Sequence, residues 1–201
     1  MAQITPQLIK QLREKTGAGY MDCKKALEAA GGELAGGELE LRKRGFAAAQ
    51  KKASRATHQG LLGSYIHAGG QLGVIAELNC ESDFVARTDD FKTLVHDICM
   101  QIAATDPRFL RKEDVNPEAL AQEREIQRAR ALEEGKPEKI VDKIVEGRLA
   151  KFYEEVCLLE QPFVKDTTMT VGQLLASAIA KMGENITVSR FVRFKVGEAQ
   201  S

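Results

Sequence analysis

The sequence predicts an α+β fold: an N-terminal three-helix bundle, then a small three-stranded antiparallel sheet packed with helices, and a protruding antiparallel helical hairpin. Three observations predict it. Residues 1–45 carry apolar side chains at helical spacing, punctuated by glycines. The period then changes to that of strands in "LLGSYIHAGGQLGVIAELNC". Residues 117–156 are highly charged, helical in spacing and interrupted once, at Gly135-Lys136-Pro137.

Along the chain, the first helix comes with its own start and stop signals. Thr5 is a good N-cap, Pro6 sits at the first helical position, and Ile4, Leu8, Ile9 and Leu12 make one apolar face that Gly17 ends. Asp22 can cap a second helix, Cys23 to Ala30, with Met21 and Ala26 placed as a hydrophobic staple; Gly31-Gly32 ends it. A third helix, Glu33 to Arg44, is weakened by Gly36 and Gly37. The basic, Ala-rich stretch from Arg42 to Gly60 reads as a helix linking the bundle to the strands beyond Gly60. This divides the chain into a bundle over 1–45, a linker helix over 46–60 and a core over 61–201.

Strands are predicted over Leu61–His67 and Leu72–Asn79, joined at Gly69-Gly70. Such a hairpin needs a third strand or a helix against it. "NITVSRFVRFKVG" offers that strand: Ile186 and Val188 alternate, Phe191 slips by one residue, and Phe194 and Val196 come next. A helix from Asp89 to Ala104 is capped by Thr88, carries Phe91, Leu94, Val95, Ile98 and Ile102 on one face, and is broken by Asp106-Pro107. The hairpin's second arm has Val141, Ile144, Val145, Leu149, Phe152 and Val156 at helical spacing, and its first arm only Leu120, Ile126, Ala129 and Leu132. "TVGQ", Thr170 to Gln173, is a capping box with a Met169–Leu174 staple, opening a helix to Met182.

Composition narrows the function. In 201 residues, 29% are charged and the net charge is zero, which argues against a broadly basic nucleic-acid coat. Aromatics are 5% with no Trp, too few for stacking on single strands. Cys23, Cys80, Cys99 and Cys157 form no CxxC pair, as reduced thiols in a cytosol-like compartment do. There is no apolar signal core and no membrane-length apolar run, so a cytoplasmic protein without membrane partners is expected.

No enzymatic constellation emerges. "TGAGYMDCKKAL" has Cys23 rather than Gly directly before Lys24, so it fails as a P-loop, and Asp22 stands where a dinucleotide fingerprint needs its third Gly. No metal-ligand spacing fits His58, His67, His96 and the cysteines, and no cofactor is expected. Cys80 with His67 is the remaining nucleophilic pairing, without a local signature around it. Arg42 to Arg55 could contact RNA, although a solvated helix face is the commoner role of such a run. In "NCESDFVARTDDF", Ser82 or Asp83 can cap a short turn. Phe84 is then either core, as most Phe are, or an exposed anchor for a partner.

Four blocks, "LIKQLREKTGAGYMDCKKALEAAGG", "IAELNCESDFVAR", "GKPEKIVDKIVEGRLAKFYEEVCLLEQPFVKD" and "GENITVSRFVRF", resemble the signature blocks of the bacterial-type elongation factor Ts family, in the same order and nearly end to end. The length resembles the family's short form, with one sheet subdomain where long forms have two. The resemblance implies a UBA-like bundle and guanine-nucleotide exchange on elongation factor Tu, without bond-making chemistry of its own. Asp83 and Phe84 match the Asp-Phe of the family's T-D-F-V motif, which pushes into the GTPase near its Mg²⁺ site, with Ser82 in place of Thr and Val85 completing the motif. Arg13, Tyr20 and Met21 match bundle positions that touch the GTPase, although the family usually carries Met where Tyr20 stands. His67 matches the S-Y-x-H histidine that supports the wedge. Short members resemble homodimers, so residues 61–201 are expected to act as a core dimerisation domain. The resemblance reverses the reading of Phe84 from core to wedge. The alternative is an RNA-binding translation accessory protein, while the family itself implies no direct nucleic-acid contact.

Overall fold

The computed structural model describes residues 4–198. Among them the chain runs α1 (Pro6–Thr16), α2 (Tyr20–Ala29), α3 (Leu34–Lys52), β1 (Gln59–Ile66), β2 (Leu72–Cys80), α4 (Asp83–Ala86) and α5 (Asp89–Thr105). It continues through α6 (Pro117–Glu133), α7 (Glu138–Val156), β3 (Pro162–Phe163), β4 (Asp166–Thr170), α8 (Val171–Met182) and β5 (Ile186–Lys195). The fold is α+β, with an antiparallel sheet in the order β1-β2-β5 and a two-stranded β3-β4 ribbon. The sheet therefore closes with the predicted third strand. No helix among the described residues is long and apolar enough to cross a membrane. The described residues form two compact units: 4–64 with Ile75–Asp97 and Gln173–Phe191, and Tyr65–Val74 with Ile98–Gly172 and 192–198.

The first unit contains the bundle. The Thr5 hydroxyl accepts from the Leu8 N–H at 3.3 Å, and the Gly17 N–H closes the other end of α1 on the Arg13 carbonyl at 2.8 Å. Ile9 and Leu12 meet Cys23, Ala26 and Leu27 in a closed core, flanked by Ile4, Leu8, Leu34 and Leu41. Two expectations are corrected in this unit. α2 begins at Tyr20, not Cys23, because Gly19 is extended and its carbonyl accepts the Cys23 N–H at 3.0 Å. Asp22 then lies in the first turn, where it favours the helix dipole, and Met21 is exposed rather than stapled to Ala26. The third helix is also longer than expected. α3 runs unbroken from Leu34 to Lys52, through Gly36, Gly37 and the first part of the stretch expected as a linker helix, whose residues 53–58 are not helical and whose Gln59-Gly60 open β1. A Cβ on Gly37 would stand 3.0 Å from Leu12 and 3.1 Å from Leu27, so the missing side chain lets the α3 backbone rest on the core. That packing offsets a cost of about 1 kcal/mol per glycine.

β1 makes a similar approach to β2. A Cβ on Gly60, whose φ is 154°, would lie 2.0 Å from the Leu78 carbonyl oxygen. β2 alternates cleanly, burying Val74, Ala76, Leu78 and Cys80. α5 buries all five residues of its predicted face.

In the second unit, α6 and α7 form the helical hairpin. Val141, Val145 and Leu149 are buried with Ala131, and Leu120, Ile144 and Tyr153 pack against them. The expectation for the first arm needs correcting. Ile126, Ala129 and Leu132 are exposed, and Ala131 joins the expected Leu120 in facing α7. A small side chain there allows close approach of the arms. Ion pairs line the outside, Arg128 to Asp142 at 2.6 Å and Arg148 to Glu134 at 2.7 Å. Gln101 and Gln161 are buried and satisfy one another and the Pro162 carbonyl.

β5 changes phase after Val188. Phe191 and Arg193 are half-buried, while Val192, Phe194 and Val196 are exposed. The predicted slip at Phe191 is present. Beyond it the expectation is corrected: Arg193, whose guanidinium donates to the Ala103 carbonyl at 3.5 Å, takes the half-buried position, and Phe194 and Val196 do not.

Candidate partner-binding site

The chain leaves β2 at Cys80 and turns at once into α4. Ser82 is extended, and its hydroxyl accepts the Val85 N–H at 3.3 Å, which makes it the N-cap. Val85 and Ala86 face the core. The same half-turn points Asp83 and Phe84 outward, and Phe84 is 77% exposed, against 0% for Phe91 a few residues on. Aromatic side chains of that size are usually buried, so this exposure has to be maintained by the local structure.

The base of the turn supplies it. The Glu184 carboxylate, from the segment between α8 and β5, accepts the Glu81 N–H at 3.1 Å, the Ser82 N–H at 3.0 Å and the Ser82 hydroxyl at 2.6 Å. The Glu81 carboxylate in turn accepts the Asn185 N–H at 2.6 Å and pairs with Arg55 at 3.4 Å. The Asn185 amide donates to the Arg55 carbonyl at 2.8 Å. The Asn185 N–H, with Arg55 beside it, holds the Glu81 carboxyl below its ordinary range. On the far side, the Thr88 hydroxyl donates to the Val85 carbonyl at 2.8 Å and accepts the Phe91 N–H, tying α4 to α5. Phe84 thus stands on a turn fixed at both ends.

Asp83 pairs with Arg87 at 2.9 Å, one helical turn away. Both side chains are solvated, so the pair contributes little stability and leaves the carboxylate available.

The sequence-predicted residues are spread over both units. Ser82, Asp83, Phe84 and Val85 share one turn, with Val85 buried beneath it. Arg13 lies exposed near the end of α1, and Tyr20 and Met21 are exposed at the start of α2, so the first unit also carries these three. His67 belongs to the second unit, on the β1–β2 turn, where its Nδ1 is 3.1 Å from the Tyr65 hydroxyl. Sequence reasoning missed Glu81, Glu184, Asn185 and Arg55. The one available signal was "GENI", a polar pair directly before a buried strand residue, Ile186.

The thiol reading loses its basis. Cys80 is fully buried, and burial, then the Glu184 carboxylate, push its thiol up, away from the reactive thiolate. All four cysteines are free and buried, and Cys157 is pushed up to about 11. Among the described residues, no cluster of His, Cys, Asp and Glu could hold a metal ion.

The model of the family described as Elongation factor TS matches residues 39–198. A protein named Elongation factor Ts from Solibacter usitatus (strain Ellin6076) is 69% identical over 200 residues, covering 100% of this chain and 94% of the relative. Its namesake from Koribacter versatilis (strain Ellin345) is 60% identical, covering 97% of this chain and 89% of the relative. The one from Carboxydothermus hydrogenoformans is 57% identical, with 97% and 90% covered. By its match to the family and by near full-length identity to these relatives, the chain belongs to the elongation factor Ts family of translation elongation factors.

Proposed function

We propose that the chain is a guanine-nucleotide exchange factor for elongation factor Tu, acting in the cytoplasm and without an active site of its own. One observation carries the reading: a large aromatic, Phe84, stands exposed beside Asp83 on a turn that hydrogen bonds hold at both ends. An aromatic so presented is suited to enter a partner's pocket. On this reading Asp83 and Phe84 press against the Mg²⁺ and phosphate contacts of the GTPase. Arg13, Tyr20 and Met21 extend the contact through the bundle of residues 1–45. Residues 46–60 link the bundle to the core of residues 61–201, and His67, on the β1–β2 turn, belongs to the same partner contact, as the family resemblance implies.

Magnitudes divide the work. Weakening a nucleotide by about 10⁴-fold needs a coupling of about 5.5 kcal/mol. Burying one Phe contributes only about 1.5–3 kcal/mol. The bundle and the sheet must therefore supply most of the binding energy, which the wedge directs at the nucleotide site. Coupling is reciprocal, so GDP weakens the factor's own binding by the same ratio. An exchange factor works in this way without being consumed.

The RNA alternative needs a free basic face along the run from Arg42 to Arg55. Three cations of that run have partners within the chain: Arg44 pairs with Glu40, Lys52 donates to the Ile179 carbonyl, and Arg55 pairs with Glu81. The test of the exchange reading is release of a fluorescent GDP from elongation factor Tu. The full chain should accelerate release by orders of magnitude at micromolar concentration. Release at the spontaneous rate would dispose of the reading.

A further inference from the structure

We infer that Glu184 is a positioning residue for the wedge: its carboxylate locks the turn that presents Phe84, and so sets the maximal exchange rate rather than the affinity for the GTPase. The inference rests on the exchange reading and deepens it at the same site.

The geometry is specific. One carboxylate oxygen of Glu184 receives two successive backbone N–H groups, those of Glu81 and Ser82, and the other oxygen receives the Ser82 hydroxyl at 2.6 Å. Bonds to an ionised acceptor are the strong class of hydrogen bond. The Ser82 hydroxyl donates to Glu184 and accepts the Val85 N–H, so the carboxylate fixes the cap as well as the chain entering it. Glu184 is more than a hundred residues from this turn in sequence and is itself anchored through its neighbour. The Asn185 N–H binds Glu81 and the Asn185 amide binds the Arg55 carbonyl. The two acidic side chains are thus reciprocal: Glu184 holds the backbone of Glu81, and Glu81 holds the backbone of Asn185.

This arrangement does nothing to Phe84 directly. It removes freedom from the turn on which Phe84 stands, and rigidity there lowers the ordering cost of inserting the ring. A loosened turn would still dock, because the bundle contacts are elsewhere, but it would deliver the ring less effectively. The expected signature is a fall in maximal rate with little change in the half-saturating concentration.

The experiment is stimulated release of fluorescent GDP from elongation factor Tu across a range of factor concentrations, with hydrogen exchange of the Glu81 and Ser82 amides followed in the free factor. Glu184→Ala should lower the maximal rate about tenfold, with the half-saturating concentration changed by less than about threefold. Glu184→Gln should recover most of the rate, because its carbonyl oxygen still accepts both amides. In a Phe84→Ala background, Glu184→Ala should cost less than about twofold more, since the clamp acts through the ring. The two amides should exchange faster in Glu184→Ala. An unchanged maximal rate would overturn the inference, as would an equal loss in the Phe84→Ala background or unchanged amide protection. Should Glu184→Ala fail to fold, Ser82→Ala removes the hydroxyl's bonds to Glu184 and to the Val85 N–H and leaves both backbone amides on the carboxylate. It should lower the rate by a smaller factor, and an unaltered rate there counts against the clamp. If the wild-type chain fails to accelerate release, the exchange reading falls, while the hydrogen-exchange arm still decides whether Glu184 holds the turn.

Discussion

Two carboxylates near Phe84, Glu81 and Glu184, act by accepting backbone N–H groups. Glu81 is held below its ordinary carboxyl value, first by the Asn185 N–H and then by Arg55. Its unfolded value is the ordinary 4.5, so its contribution to stability is complete above that pH and is lost as pH falls through the lower folded value. Wild type should therefore be more stable than Glu81→Gln near neutrality, and the gap in urea unfolding should close on acidification. A gap that does not vary with pH would contradict this assignment. Some residues were legible in the sequence and some were not. The Ser82 cap, the Thr5 cap and the buried face of α5 arise from local spacing, which a sequence displays. The roles of Glu184 and Asn185 are not legible locally, because their partners, Ser82, Glu81 and Arg55, lie across the fold. Phe84 is the instructive case, because its residue type alone argues for burial. Only its place in a family motif argued for the exposed position that the structure gives it.

At the level of elements, α3 marks the limit of propensity arguments. Two consecutive glycines weaken an isolated helix by about 2 kcal/mol, yet α3 continues through them because Gly37 packs on Leu12 and Leu27. Replacement by the better helix former should accordingly harm the bundle. Gly37→Ala should destabilise the protein by about 1 kcal/mol, because overpacking against two fully buried leucines outweighs the propensity gain. Chemical denaturation measures it, and a stabilised variant would mean that the leucines have room to shift. The hairpin carries a related lesson. Its richer arm was read correctly, since Val141, Val145 and Leu149 repeat at helical spacing. Its poorer arm is legible only at Leu120, because the contact otherwise uses Ala131 and leaves the larger Ile126 and Leu132 exposed. Where apolar residues are few, size is a poor guide to which of them faces in.

For the molecule as a whole, two surfaces remain to be assigned. Each strand of the main sheet carries exposed apolar side chains: Leu62 and Ile66 on β1, Ile75 on β2, Val192 and Phe194 on β5. Apolar side chains left exposed along a sheet favour a protein partner. A homodimer formed through the sheet and the adjoining helices is the proposal here, as the family resemblance implies. Sedimentation should give the mass of a dimer at micromolar concentration, and Phe194→Asp should shift it toward monomer; a pure monomer for the wild type would remove the proposal. The second surface is the wedge, and the central claim is that Phe84 converts binding energy into nucleotide release. The most direct measurement compares wild type and Phe84→Ala in fluorescent GDP release from elongation factor Tu. Because the ring is exposed, the variant should keep wild-type stability to within about 0.5 kcal/mol. Its maximal release rate should fall at least about tenfold, in line with the about 1.5–3 kcal/mol of the lost ring. Release as fast as with wild type, from a folded variant, would contradict the account.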